Sequence, residues 1–170
     1  MITAYLSGSR VTSSSSNAFA LYERSRLGEK KKGNIEYSLP EALYLLEHQK
    51  AEILQGKKKL DFESFLKKAN RLDKRIETKY PVYANMRKKG YILKTALKFG
   101  ADFRVYKKGI KPGQDHALWI LFCVRENETN SWQDFAAKSR VAHSTKKKLL
   151  LGIVDDESDV TYYEVAWMKP

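Results

Sequence analysis

A single cysteine, Cys123, stands in this chain of 170 residues, so no internal disulfide can form. Its place within the apolar run LWILFCV reads as a buried core thiol. No apolar run approaches the roughly 20 residues that a membrane-spanning helix needs. The start, MITAYLSGSR, lacks the basic-then-apolar pattern of a secretory leader. Together these absences set the expectation of a cytoplasmic protein in a reducing compartment, with no membrane partner. Several catalytic signatures are missing as well. There is no Cys/His cluster at zinc spacing, no Gly-rich phosphate-cradling loop and no G-x-S-x-G elbow. A magnesium site wants several converging carboxylates, and Asp102 has no acid-x-Lys partner on the following strand. The expectation is therefore no metal and no cofactor. No internal repeat is visible, and low complexity is confined to short serine and lysine runs.

What is present in excess is positive charge. A formal +12, with 42% hydrophobic and 31% charged residues, describes a folded basic protein rather than a disordered one. Such a surface attracts polyanions, nucleic acid foremost. A lysine-rich thermophile surface or a ribosome-type structural role would account for the charge as well.

Taken in order, Met1 to Val11 suits two strands around a turn at Gly8, and Ser13 to Ser16 is a loop. Ser16 or Asn17 caps a helix that stops at Gly28, and Lys30 to Gly33 is a polar loop before a brief strand, Ile35 to Tyr37. Ser38 caps a helix with Pro40 and Glu41 in its first turn, and Glu52 to Leu54 is a strand. Asp61 opens a helix with Phe62, Phe65, Leu66 and Ala69 at helical spacing. Pro81 starts or kinks the next helix, and Gly90 caps it. Strands follow at Tyr91 to Ala96, Ala101 to Tyr106, Ala117 to Val124, Leu149 to Val154 and Val160 to Trp167, with a helix opened by Ser131 and Asp134 running through Ala137. A domain boundary is expected near Tyr80, giving residues 1–80 and 81–170. The first is a small helix-rich α+β unit, and the second is mostly strands.

The stretch KFGADFRVYKKGIKPGQDH places Tyr106 and His116 at the two lips of a Gly- and Pro-containing loop that carries Lys107, Lys108 and Lys111. Proton-handling groups facing a cationic loop suit a phosphate-bearing substrate. RNA brings its own nucleophile, the 2′-hydroxyl. Cleavage then needs a base, an acid for the 5′ oxygen and a cation for the crowded phosphorane, roles that Tyr, His and Lys fill without metal. The products would be a 2′,3′-cyclic phosphate and a 5′-hydroxyl.

YILKTALKFGADFRVYKKG, then DH before an apolar strand, then SRVAHSTKKKLLLGIVDDESDVTYYEVAW closely resemble the archaeal tRNA-splicing endonucleases. The resemblance is dense from Tyr80 to Pro170, with a weaker echo in SLPEALYLLEHQK. It implies an α+β or α/β protein whose nuclease-like C-terminal domain has a central mixed β-sheet flanked by helices. It also implies a metal-independent endonuclease that excises introns from precursor tRNA at bulge-helix-bulge motifs. The family's catalytic tyrosine, histidine and lysine fall on Tyr106 (base), His116 (acid) and Lys147 (charge stabilisation), the last being the fourth residue after His143 in H-S-x-x-K. Arg140 matches an arginine that stacks on a flipped base, and Trp167 is a second candidate for RNA binding.

Each residue has a plainer reading. Tyr106 packs at a strand end, His116 is a surface histidine, and Lys146 and Lys148 flank Lys147, so only the motif register selects it. His143 is read as structural, Trp119 and Trp132 as core or interface, and the lysines at 30–32 and 57–59 as solvated loops. The resemblance further implies two active sites per assembly. A homotetramer is expected first, and pairing with a separate structural subunit second. The last strand is a candidate self-pairing edge, and the acidic loops at Glu126 to Glu128 or Asp155 to Asp159 are candidates to dock on a neighbour. The competing function is a non-catalytic RNA-binding or structural subunit of the same assembly.

Overall fold

Two-residue turns organise the first half of the chain. In the computed structural model, which describes residues 1–170, β1 (Ile2–Ser7) and β2 (Arg10–Ser13) pair antiparallel around Gly8 at φ 59°. Helix α1 (Ser16–Ser25) is capped by Ser15, whose hydroxyl accepts from the Ala18 N–H at 3.3 Å. The cap thus falls one residue before Ser16, because the Ser13 hydroxyl donates to the Thr3 carbonyl at 2.6 Å and holds Ser15 beside it. The helix also ends earlier than Gly28: Arg26 takes the left-handed conformation, φ 56°, and closes onto the Tyr22 carbonyl. The expected loop at 30–33 is instead a hairpin of β3 (Glu29–Lys31) and β4 (Asn34–Tyr37), turned by Lys32 and Gly33 at φ 46° and 81°. Helix α2 (Leu39–Glu47), strands β5 (Ala51–Gln55) and β6 (Lys58–Leu60) and helix α3 (Phe62–Leu72) complete the unit.

These strands form one mixed sheet in the order β3-β4-β2-β1-β5-β6, with β1 and β5 parallel. Ala4, Val11, Ile35 and Ile53 of its strands, with Leu43 of α2 and Phe65 of α3, are fully buried. The lysine runs read as loops lie on the hairpins of the outermost strands, β3 and β6. Charge on an edge strand discourages pairing with another chain.

The chain divides into two compact units, Met1–Tyr80 and Pro81–Pro170. The division falls inside α4 (Ile76–Lys88), so Pro81 does not start that helix but sits within it. In the second unit β7 (Ile92–Ala96), β8 (Ala101–Tyr106), β9 (Trp119–Arg125), helix α5 (Trp132–Ser144), β10 (Lys148–Val154) and β11 (Val160–Val165) follow. The sheet order is β11-β10-β9-β8-β7, with β9 and β10 parallel and the other pairs antiparallel. This is the α+β architecture expected, a mixed central sheet with helices on its faces. One face meets Val82 and Tyr83 of α4: the Tyr83 ring lies 5.7 Å from that of Phe103, and a Cβ on Gly152 would sit 3.0 Å from Val82 Cγ1. On the other face Ala142 of α5 packs with Ile120, Phe122 and Leu149. The final strand stops at Val165, short of Trp167. No helix is long and apolar enough to cross a membrane.

Candidate active site

Helix α5 runs well past Ala137, to Ser144, and its end positions a lysine. Lys146 takes φ 55°, its N–H bonds the His143 carbonyl at 3.0 Å, and the Lys147 N–H bonds the Ala142 carbonyl at 2.9 Å. That pair of bonds is a Schellman closure, here with lysine where glycine is usual. The next residue enters β10, so Lys147 is fixed where the helix hands over to the strand. Its Nζ donates back to the Thr145 carbonyl at 3.0 Å and lies 5.7 Å from the Phe99 ring centroid.

Across the sheet, the loop between β8 and β9 is pinned at its return, where the Leu118 N–H reaches the Val105 carbonyl at 2.8 Å. Within it the Lys111 N–H donates to Gln114 Oε1 at 3.0 Å and the His116 N–H to Asp115 Oδ1 at 2.7 Å, with Gly109 and Gly113 at φ 80° and 93°. Tyr106, at the end of β8, is 5% exposed, whereas His116 on the loop is exposed.

Three of the residues singled out in the sequence meet here. Tyr106, His116 and Lys147 line one open pocket of about 440 Å³, together with Phe99, Arg104 and Asp115. The other two lie elsewhere. Arg140 and Trp167 line a separate groove of about 560 Å³ with Phe135 and His143, where the Trp167 and His143 rings are 4.3 Å apart. A smaller recess of about 250 Å³ carries both Lys147 and Trp167, so Lys147 borders the first pocket and the approach to the groove.

The neighbouring lysines separate on geometry. Lys148 is drawn to Glu164 Oε1 at 2.9 Å, and the Trp119 indole N–H reaches the other oxygen of that carboxylate at 2.7 Å. Those bonds, Trp119 first, hold the Glu164 carboxyl below its usual range. Trp119 is thereby a framework residue. Trp132 is not core at all, being 85% exposed with its edge against Phe135. Sequence reasoning passed over Arg104 and Phe99. The signal for Arg104 was available, since a strand residue two before Tyr106 shares its face. No three His, Cys, Asp or Glu side chains gather as a metal-ligand set.

Fold and pocket together define a class: a basic α+β protein of two units, the second carrying a polar pocket beside a helix-to-strand turn. Comparison with known proteins makes the class specific. The catalytic C-terminal domain of tRNA intron endonuclease matches residues 76–162, and the N-terminal domain of tRNA intron endonuclease matches residues 2–66. The chain is 42% identical over 170 residues to the tRNA-splicing endonuclease of Thermococcus kodakarensis, covering 99% of each. Identity to the Pyrococcus abyssi tRNA-splicing endonuclease is 41% over 170 residues, covering 99% of this chain and 98% of that one. To the Nanoarchaeum equitans tRNA-splicing endonuclease it is 49% over 141 residues, covering 79% of this chain and 90% of that one. The chain belongs to the tRNA intron endonuclease family.

Proposed function

We propose that this protein is a metal-independent endonuclease that excises introns from precursor tRNA at bulge-helix-bulge motifs. The observation that carries the reading is the pocket lined by Tyr106, His116 and Lys147, which derive from a strand end, a loop and a helix-to-strand turn. In the proposed step the Tyr106 phenolate oxygen takes the proton of the 2′-hydroxyl, and the 2′ oxygen bonds to phosphorus. The P–O5′ bond breaks, and the His116 imidazolium gives its proton to the departing 5′ oxygen. Lys147 offsets the charge that builds on the non-bridging oxygens. The ends are a 2′,3′-cyclic phosphate and a 5′-hydroxyl.

Arg140 and Trp167 are proposed to hold an unstacked bulge base, as cation and aromatic faces do. Their groove meets the pocket side through Lys147, which supports one continuous RNA track. The working form is proposed to be a homotetramer, or else a heterotetramer with a structural subunit. β11 is an outermost strand with Tyr163 55% exposed, which fits pairing with a second copy. A light-scattering mass of one protomer at working concentration would remove that part.

The test is incubation of the pure protein with a bulge-helix-bulge precursor RNA, with end-group analysis, in EDTA. The expected result is two cuts with cyclic phosphate ends, unaffected by the chelator, and loss of cleavage but not of RNA binding in His116→Ala. Activity that dies in EDTA and returns with magnesium rejects the mechanism. RNA binding without cleavage would make the chain a structural subunit instead.

A further inference from the structure

Arg104 has no part in the proton transfers proposed above, yet its surroundings make it hard to explain as packing. On β8 the strand alternation sets Arg104 and Tyr106 on one face. Its partner on β9 is Ile120, fully buried beneath α5, and its partner on β7 is Lys94, only 6% exposed. The Arg104 Nε is buried and has no hydrogen-bond partner, and burying such a donor unpaired is unfavourable. The side chain nevertheless lines the pocket of Tyr106, His116 and Lys147. A half-buried arginine that lines this pocket and keeps a buried donor unpaired is arranged to meet an anion.

We infer that Arg104 is a second phosphate-binding cation of this pocket, its guanidinium fork taking the non-bridging oxygens of the scissile phosphate while Lys147 approaches from the other wall; this rests on the proposed cleavage reaction. The division of labour follows from the chemistry. Lysine brings a compact point charge on a flexible stem, whereas a guanidinium presents parallel N–H groups that match two oxygens of one phosphate. Arg104 also stands on a paired strand two residues from Tyr106, so it holds the phosphate at a fixed distance from the base.

The experiment uses the full chain and bulge-helix-bulge precursor tRNA in single-turnover cleavage, comparing wild type with Arg104→Ala, Arg104→Lys and His116→Ala. Affinity is read on the same RNA with 2′-deoxyribose at the cut sites, and melting temperature is recorded for each variant. Arg104→Ala is expected to cut about 10²- to 10³-fold more slowly, as when one donor to a developing oxyanion is removed. Affinity is expected to stay within about threefold, since the contact strengthens in the transition state. Free guanidinium ion is expected to restore part of the rate to Arg104→Ala and none to His116→Ala, with Arg104→Lys falling between. Cleavage by Arg104→Ala within about threefold of wild type overturns the inference. So does a slow variant that guanidinium fails to restore, whether or not its melting temperature falls. If the wild type itself leaves the RNA uncut, the proposed function falls and this inference with it; if only Arg104→Ala proves ordinary, the proposed function stands.

Discussion

Three consecutive lysines, Lys146 to Lys148, follow α5, and substituting each in turn tests whether the turn has selected one of them. Lys147 loses two local contacts on truncation, the Thr145 carbonyl at 3.0 Å and the Phe99 ring at 5.7 Å. One hydrogen bond and one cation–π contact are together worth about 1–2 kcal/mol, so the fold survives. The catalytic effect is far larger: loss of one preorganised charge at a developing oxyanion slows cleavage about 10²- to 10³-fold, or about 3–4 kcal/mol. Lys148 is tied to Glu164 at 2.9 Å, with side chains 57% and 43% exposed, and alanine there is expected to leave the rate within about threefold. Lys146 is exposed and held at φ 55°. Glycine at that position relieves about 1 kcal/mol of left-handed strain and raises the melting temperature without touching the rate. The assay is single-turnover cleavage of precursor tRNA alongside thermal melting. If Lys148→Ala slows the reaction as much as Lys147→Ala, or Lys147→Ala stays within about fivefold of wild type, the reasoning from the helix-to-strand turn is refuted.

Other perturbations probe the framework. Glu41 is 4% exposed and accepts from the Gly28 N–H, the Ser38 N–H and the Ser38 hydroxyl at 2.9, 2.9 and 2.8 Å. Glu41→Ala strands these donors and should cost about 3–5 kcal/mol, read as a drop in the denaturant midpoint and faster exchange of the Gly28 and Ser38 amides; a loss below about 1 kcal/mol would contradict the hydrogen-bond reading. Gly28→Ala would drive a Cβ into Ile35 Cγ2 at φ 80°, so the variant should melt markedly lower, and an unchanged melting temperature would count against this backbone path. At Asp73, burial by itself would raise the carboxyl, but the Lys79 ammonium at 2.7 Å and the Arg75 N–H at 2.9 Å outweigh it and hold it below the ordinary value. Because the folded-state value is the lower one, this group's stabilisation is complete above the ordinary carboxylate range and fades as pH falls through the folded value. Asp73→Asn should therefore lower stability at neutral pH and flatten its acid limb, and an acid limb of unchanged steepness would show that other carboxylates set it.

Much of this architecture was readable from local rules, and the exceptions share a cause. Turns carrying glycine, such as Gly8, and caps carrying Ser or Asp, such as Asp61 and Ser131, were visible because one residue supplies the needed geometry. Where Arg26, Lys32 or Lys146 took the left-handed role usually given to glycine, the ends of α1, the β3–β4 hairpin and the last two turns of α5 went unseen. The apolar strand around Cys123 was legible from its own run of side chains. The mixed order of the sheet was not, because parallel pairing of β9 with β10 depends on a crossover through α5 that no local pattern encodes.

By itself the sequence determined the chemical types and their order along the chain, because tyrosine, histidine, lysine and the lysine-rich surface are covalent facts. Tertiary structure decided which of them share a pocket. It turned Lys147 rather than Lys148 toward Tyr106 and His116, set Arg104 among them with a buried donor unmet, and kept Trp132 out of the core. The physical reason is that a site's electrostatics depend on distances across strands, and those are fixed only when helix, loop and sheet pack together.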